Sequence, residues 1–162
     1  MLVGLNIYYW YPYEPIPEGV KIDKLVVDKS AYTLTAYAGE EVIKKFTISL
    51  GASPIGPKER DGDEKTPEGE YTIDAKADLG QSGFHRNLGV SYPEEKDIAN
   101  ARSKGYETGG DIKIHGLQNG MGYVGRFHRW WNWTDGCIAL TDEEIDDLYK
   151  HVKKGTPIII KP

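Results

Sequence analysis

IDKLVVDKSAYTLTAYAGEEVIKKFTISL, residues 22–50, decides the fold class. Within it, residues 22–28, 31–37 and 41–50 alternate apolar with polar positions and are rich in β-branched side chains. A period of two sets one face on a core and the other in water, so each run reads as a half-buried strand. Ala38-Gly39 supplies a turn between the second and third runs, and a meander follows. Working outward, strands are expected at 70–75, 84–92 and 111–115, with a closing strand after Pro157.

Two helices interrupt this pattern. SYPEEKDIANARSKG (91–105) has Pro93 in its first turn, Glu94 and Glu95 early, and Gly105 as a stop. In TDEEIDDLYKHVKKG (141–155), Thr141 and Glu144 form a capping box, and Ile145, Leu148, Tyr149 and Val152 share one face. Lys150, Lys153 and Lys154 then oppose the helix dipole, and Gly155 ends the helix. Between the strands, GASPIGPKERDGDEKTPEG (51–69) is a long Gly/Pro/charged loop, the kind that is usually functional or mobile. The expected architecture is mainly β with two helices, in one domain over 21–162.

A chain of 162 residues with 39% hydrophobic and 28% charged positions builds a single core and is not disordered by composition. Its net charge of −5 and the lack of any long basic run argue against a nucleic-acid partner. One cysteine rules out an internal disulfide framework. There is no CxxC or HExxH, and His85, His115, His128 and His151 are scattered, so neither a metal nor another cofactor is expected. The start, residues 1–20, is an aromatic-rich arm with Tyr8, Tyr9, Trp10, Tyr11 and Tyr13 and no basic residue in 1–20. It reads either as a strand or arm packed on the domain or as the trailing end of a membrane anchor, since aromatics gather at the bilayer interface. No repeat or second domain is evident, and a monomer is expected.

The chemistry sits in two short stretches. In DIKIHG (111–116), Ile112 and Ile114 face one way, and Lys113 and His115 the other. The same period in CIAL sends Ile138 and Leu140 to the core and leaves Cys137 with Ala139 on the opposite face. Removing His115 should therefore leave the fold intact. Thr134-Asp135 is turn chemistry, and Gly136 allows close backbone approach. A free thiol titrates near ~8.5 and attacks only as thiolate, so it needs a base such as imidazole. Backbone N–H groups of Gly136 and Cys137 could then face an oxyanion. Such a set suits acyl transfer. A buried, inert Cys137 and a turn-forming His115 are the bland alternatives.

IHG (114–116) followed by WTDGCIAL (133–140) resembles the signature of the L,D-transpeptidase catalytic domain, the YkuD type. GASPIGPKERDGDEKTPEGEYTI and SYPEEKDIANARSKGYETGGDIKIHG are similar to the same family in its YafK-like branch, so the resemblance spans roughly residues 22–161. It implies the family's β-sandwich-like fold, with the cysteine in a cleft under a lid. It implies Cys137 as nucleophile, His115 as base and the Gly116 carbonyl as the group that orients the imidazole. Thr134, Asp135 and Gly136 would line the oxyanion side. The implied substrates are peptidoglycan stem peptides, the implied location is extracytoplasmic, with a membrane anchor before residue 1 as one option, and carbapenems are implied inhibitors. Two positions depart from the family: Asp135 stands where many members have histidine, and Ala139 where many have arginine. Arg126 or Arg129 could replace that cation on a substrate carboxylate, and the Asp135 carboxylate could draw a cationic acceptor.

Three further readings belong beside this one. An L,D-carboxypeptidase or amidase-type hydrolase would use the same dyad with water as acceptor. A non-catalytic cell-wall-binding module would explain the aromatics but not the Gly-Cys turn. A papain-like peptidase would place cysteine before histidine, the reverse of this order. Trp130, Trp131 and Trp133 read first as anchors for their loop and second as a wall for a sugar-peptide strand. Lys58 and Lys65 read as surface lysines or as contacts for acidic stems.

Overall fold

A computed structural model describes residues 2–162; Met1 of the N-terminal arm and the side chains of residues 2 and 3 lie outside the described residues. The meander read at 22–50 forms β1 (Lys24–Asp28), β2 (Thr33–Ala38) and β3 (Glu41–Thr47), paired antiparallel. The closing strand, β8 (Pro157–Lys161), runs parallel to β1 with Leu25 opposite Ile158 and Val27 opposite Ile160. β4 (Gly69–Ala77) joins the two ends of the sheet. Its residues 69–72 pair with β8, and its residues 73–77 pair with β5 (Asn87–Val90). A register shift between Ile73 and Ala75 lies where β4 changes partner, and such a bulge bends a strand. β6 (Lys113–His115) and β7 (Ile138–Ala139) complete the order β3-β2-β1-β8-β4-β5-β6-β7. The curled sheet encloses one core, which includes Leu25, Leu34, Phe46, Ile73, Leu88, Ile114, Ile138 and Ile158.

The helices differ from expectation at their ends. The first expected helix, α2 here, is Glu95–Ser103, with the Asp97 carboxylate accepting the Glu94 N–H at 2.9 Å. That cap starts the helix after Pro93, which lies ahead of the first turn. The second, α3, is Asp142–His151, with the Thr141/Glu144 capping box in place. It ends before Lys153, because Val152 turns extended, is buried in the core and bridges to Ile22.

The N-terminal stretch is a helix rather than a strand: α1 is Leu2–Trp10. Tyr9 stacks on Phe127 at 5.4 Å, and its hydroxyl donates to the Tyr123 carbonyl at 2.6 Å. Its platform is a 3₁₀ segment, Gly122–Trp130, kinked at Gly125. Residues 11–20 continue along α3, where Asp147 accepts from the Tyr13 hydroxyl at 2.6 Å and from Ile16 N–H at 2.8 Å.

The 51–69 loop is tied down. Lys29, only 4% exposed, sends its ammonium to Gly56 O, Thr66 O and the Glu68 carboxylate at 2.6, 3.0 and 2.7 Å. A buried cation is tolerable when so fully paired. Lys58, read as a surface group, is buried against Asp63 at 2.8 Å.

Candidate active site

β6 and β7 lie side by side and parallel, with Ile114 opposite Ile138 and His115 opposite Ala139. Ile114 and Ile138 enter the core. Strand alternation therefore sends His115 and Cys137 to the other face together, two positions apart in register. Both line one cavity of about 320 Å³, whose wall also includes Asp135, Thr134, Lys113 and Trp133. Three larger cavities contain neither residue: two of about 500 and 430 Å³ under the N-terminal arm and one of about 350 Å³ beside β4 and β8. Chemistry outweighs size here, because the cavity of about 320 Å³ is the one that brings a thiol and an imidazole together.

The imidazole is held firmly. His115 Nδ1 donates to the Gly116 carbonyl at 2.6 Å, which leaves Nε2 with the lone pair. The ring stacks on Phe84 with centroids 3.9 Å apart and meets the edge of Trp133 at 5.6 Å. Gly116 has no room for a side chain: a Cβ there would lie 2.6 Å from His85 O and 2.8 Å from an Asp142 carboxylate oxygen. His115 is 1% exposed, so the expectation that it could be deleted without structural cost is corrected. It does face away from the apolar core, but into a second, aromatic shell rather than into solvent.

Burial pushes His115 down to about 4, with the Lys113 charge adding to the effect and the Gly116 hydrogen bond opposing it. Burial also pushes the Cys137 thiol up. The resting pair is consequently neutral thiol and neutral imidazole rather than an ion pair. In keeping with that, the thiol donates to the Asp111 carbonyl at 3.6 Å instead of to the imidazole.

The bend that carries the sulfur is closed by Thr134. Its hydroxyl donates to Cys137 O at 2.7 Å and accepts from Gly136 N–H at 3.2 Å. The Gly136 N–H is thereby committed to the turn, which corrects the expectation that it faces an oxyanion. Gly136 adopts φ 126°, and a Cβ on it would lie 2.5 Å from Lys65 O. The pinned 51–69 loop thus butts directly against the turn.

Arg126 and Arg129 are not at this site. The Arg126 guanidinium donates to Tyr8 O at 3.1 Å, and Arg129 pairs with Glu144 at 2.6 Å. Both line the cavity under the N-terminal arm. The kink at Gly125 and the docking of α1 carry them there. Among the described residues, the one lysine or arginine lining the Cys137 cavity is Lys113, paired with the exposed Asp111 carboxylate at 2.6 Å. Alternation in DIKIHG already placed Lys113 beside His115, so the signal for it was available. Phe84 and Gln118 also line the cavity, and their positions in sequence carried no such signal. Of the tryptophans, Trp133 anchors against His115 and His128, Trp130 meets Phe127 edge-on at 4.9 Å while leaving much of its ring in water, and Trp131 is exposed.

The curled sheet and the sequence that builds it both have counterparts among known proteins. The family model for the L,D-transpeptidase catalytic domain (YkuD) matches residues 22–160, and the chain belongs to that family. It is similar to YafK of Escherichia coli K12, which carries a provisional L,D-transpeptidase name, at 28% identity over 128 residues. That match covers 76% of this chain and 44% of YafK, so the chain spans less than half the length of that relative. Among solved structures, the helical cell shape determining protein Pgp2 of Campylobacter jejuni superposes with a TM-score of 0.62 at 22% identity, covering 88% of this chain and 48% of Pgp2. The L,D-transpeptidase LdtMt1, solved in complex with imipenem, gives 0.54 at 18% identity, covering 85% of this chain and 58% of LdtMt1. The fold is accordingly that of the L,D-transpeptidases.

Proposed function

We propose that this domain transfers peptidoglycan stem-peptide acyl groups through a thioester on Cys137. The observation that carries the reading is the shared face of β6 and β7, where His115, locked by Gly116 O, keeps Nε2 unprotonated beside the sulfur's cavity. His115 Nε2 takes the thiol proton, and the sulfur attacks the carbonyl of the L-centre of the third residue. The C–N bond to the terminal D-residue breaks, and the imidazolium returns its proton to the leaving amine. A second stem's amine then attacks the thioester, giving its proton to His115, which passes it to the sulfur as the C–S bond breaks. The Cys137 N–H takes the oxyanion role that Gly136 cannot. Lys113 takes the place of the missing arginine and meets the substrate carboxylate once it exchanges Asp111 for it.

Asp135, exposed at the cavity wall, favours a cationic acceptor such as the side-chain ammonium of that second stem. Action on peptidoglycan places the domain outside the cytoplasm. Among the described residues no helix is long and apolar enough to cross a membrane. Incubation with purified disaccharide-tetrapeptide and mass analysis of the products tests the reading. Crosslinked or amine-exchanged product is expected. Free tripeptide alone, whatever amine is supplied, would replace transfer with hydrolysis, and unchanged tetrapeptide would end both.

A further inference from the structure

The Gly116 carbonyl that accepts from His115 Nδ1 at 2.6 Å shares one peptide unit with the Leu117 N–H. That N–H donates to Asp142 Oδ1 at 2.8 Å. The unit is trans, so its C=O and N–H point in opposite directions, and the carboxylate sits across the amide from the imidazole. Flanking bonds hold the unit in place. Gly116 N–H donates to His85 O at 3.1 Å, and His85 N–H donates to Leu117 O at 2.9 Å. Asp142 is not occupied with capping its own helix, because Thr141 and Glu144 form that box. As the first residue of α3 it lies at the positive end of the helix dipole, which favours a carboxylate. Its second oxygen lies 3.8 Å from His85 Nδ1, and His85 Nε2 pairs in turn with Asp146 at 2.8 Å, which Arg86 also meets at 2.6 Å. Burial pushes the Asp142 carboxyl up, while the Leu117 hydrogen bond and His85 hold it down.

We propose that Asp142 is a positioning residue for the base: through the 116–117 peptide it fixes the His115 ring and strengthens it as a proton acceptor. A carboxylate that accepts from an amide N–H polarises the amide and makes its carbonyl oxygen a stronger acceptor. When Nε2 takes the thiol proton, the Nδ1–H of the imidazolium faces that stronger oxygen. No proton crosses the peptide, and Asp142 stays ionised throughout. For its effect on rate the inference rests on the acyl-transfer reading above. It adds to the Cys137 and His115 pair a carboxylate that touches neither the ring nor the substrate.

The test is the His115 Nδ1–H resonance in NMR of isotope-labelled protein, assigned by its loss in His115→Gln. Asp142→Asn keeps an oxygen for the Leu117 N–H and removes the charge. The resonance should move upfield. The rate of imipenem acylation at saturating drug should fall by about three- to tenfold, with the half-saturating concentration unchanged. In a His115→Gln background the same substitution should change the residual acylation by less than about twofold, because its effect runs through the ring. A purely structural Asp142 would slow both backgrounds alike. Far-UV circular dichroism checks the fold, and Asp142→Ser, an uncharged hydroxyl acceptor, takes over if Asp142→Asn does not fold. An unmoved resonance, or equal slowing in the two backgrounds, would overturn the proposal. A wild-type chain that imipenem does not acylate would remove the acyl-transfer reading alone, and the resonance then decides the role of Asp142 by itself. Acylation with an unmoved resonance would do the reverse.

Discussion

The two ends of the curled sheet are made of similar apolar residues and serve opposite purposes. In β1, β2, β3 and β8 the strands run five to seven residues, and outward side chains such as Lys45 and Thr47 meet water. In β5, β6 and β7 they run only four, three and two residues, and the face away from the core is covered as well. All four residues of β5 are buried, His115 lies under Phe84 and Trp133, and Ala139 bridges to Ser49. A long strand with one wet face supplies stability. A short pair buried on both faces can hold a histidine and a cysteine in a dry, fixed relation, at the cost of burying polar groups that must each be satisfied.

The comparison breaks or sharpens under substitution. Cys137→Ala should abolish turnover of disaccharide-tetrapeptide while leaving the thermal midpoint close to wild type; residual turnover would show that the chemistry lies elsewhere. His115→Gln should lower kcat/KM by ~10²–10⁴, the usual worth of a positioned base. In the other half, Leu34→Ala empties a fully buried position of β2 and should cost ~2–5 kcal/mol of stability with kcat unchanged below the melting transition. A fall in kcat matching the catalytic variants would show that the two halves are not separable.

Acid should strike the half that carries His115 first. Folding lowers His115 from 6.5 to about 4 and His128 from 6.5 to about 3, so it favours their neutral forms. Above 6.5 neither the folded nor the unfolded chain protonates them, and they contribute no pH dependence. As pH falls through 6.5 toward 4 and 3, the unfolded chain binds protons that the folded chain refuses, and stability drops by a few kcal/mol. Urea melts at stepped pH should show that loss, and His128→Phe should flatten its lower part. The acid limb of kcat/KM should likewise lie near 4 instead of 6.5. Smaller still, Thr134→Val removes the hydroxyl that closes the Gly-Cys turn and should cost ~1–3 kcal/mol. Its effect on the rate should exceed its effect on KM, since the turn positions the sulfur.

The same contrast explains what could be read from the chain. The meander at 22–50 and the capped α3 were legible because alternation and capping are local and one face meets water. The shared face of His115 and Cys137 was legible too, since a period of two survives even in strands of three and two residues. The 3₁₀ segment and α1 were not, because their order comes from contacts between rings more than a hundred residues apart, such as Tyr9 on Phe127. For the same reason the sequence offers Arg126 and Arg129 as cations for the cleft, while their guanidiniums serve α1 and Glu144. Asp111, at φ 59°, accepts the hydrogen bond of the thiol on its carbonyl, and its place in the sequence gave no local sign of that role.

The account stands most directly on the sulfur. Intact-protein mass after incubation with imipenem near neutral pH, followed by peptide mapping, reads it in one step. A single added drug mass is predicted, on the peptide containing Cys137. It should be absent in Cys137→Ala and strongly slowed in His115→Gln. No adduct on the wild-type chain, or an adduct that persists in Cys137→Ala, would contradict the acyl-transfer site described above.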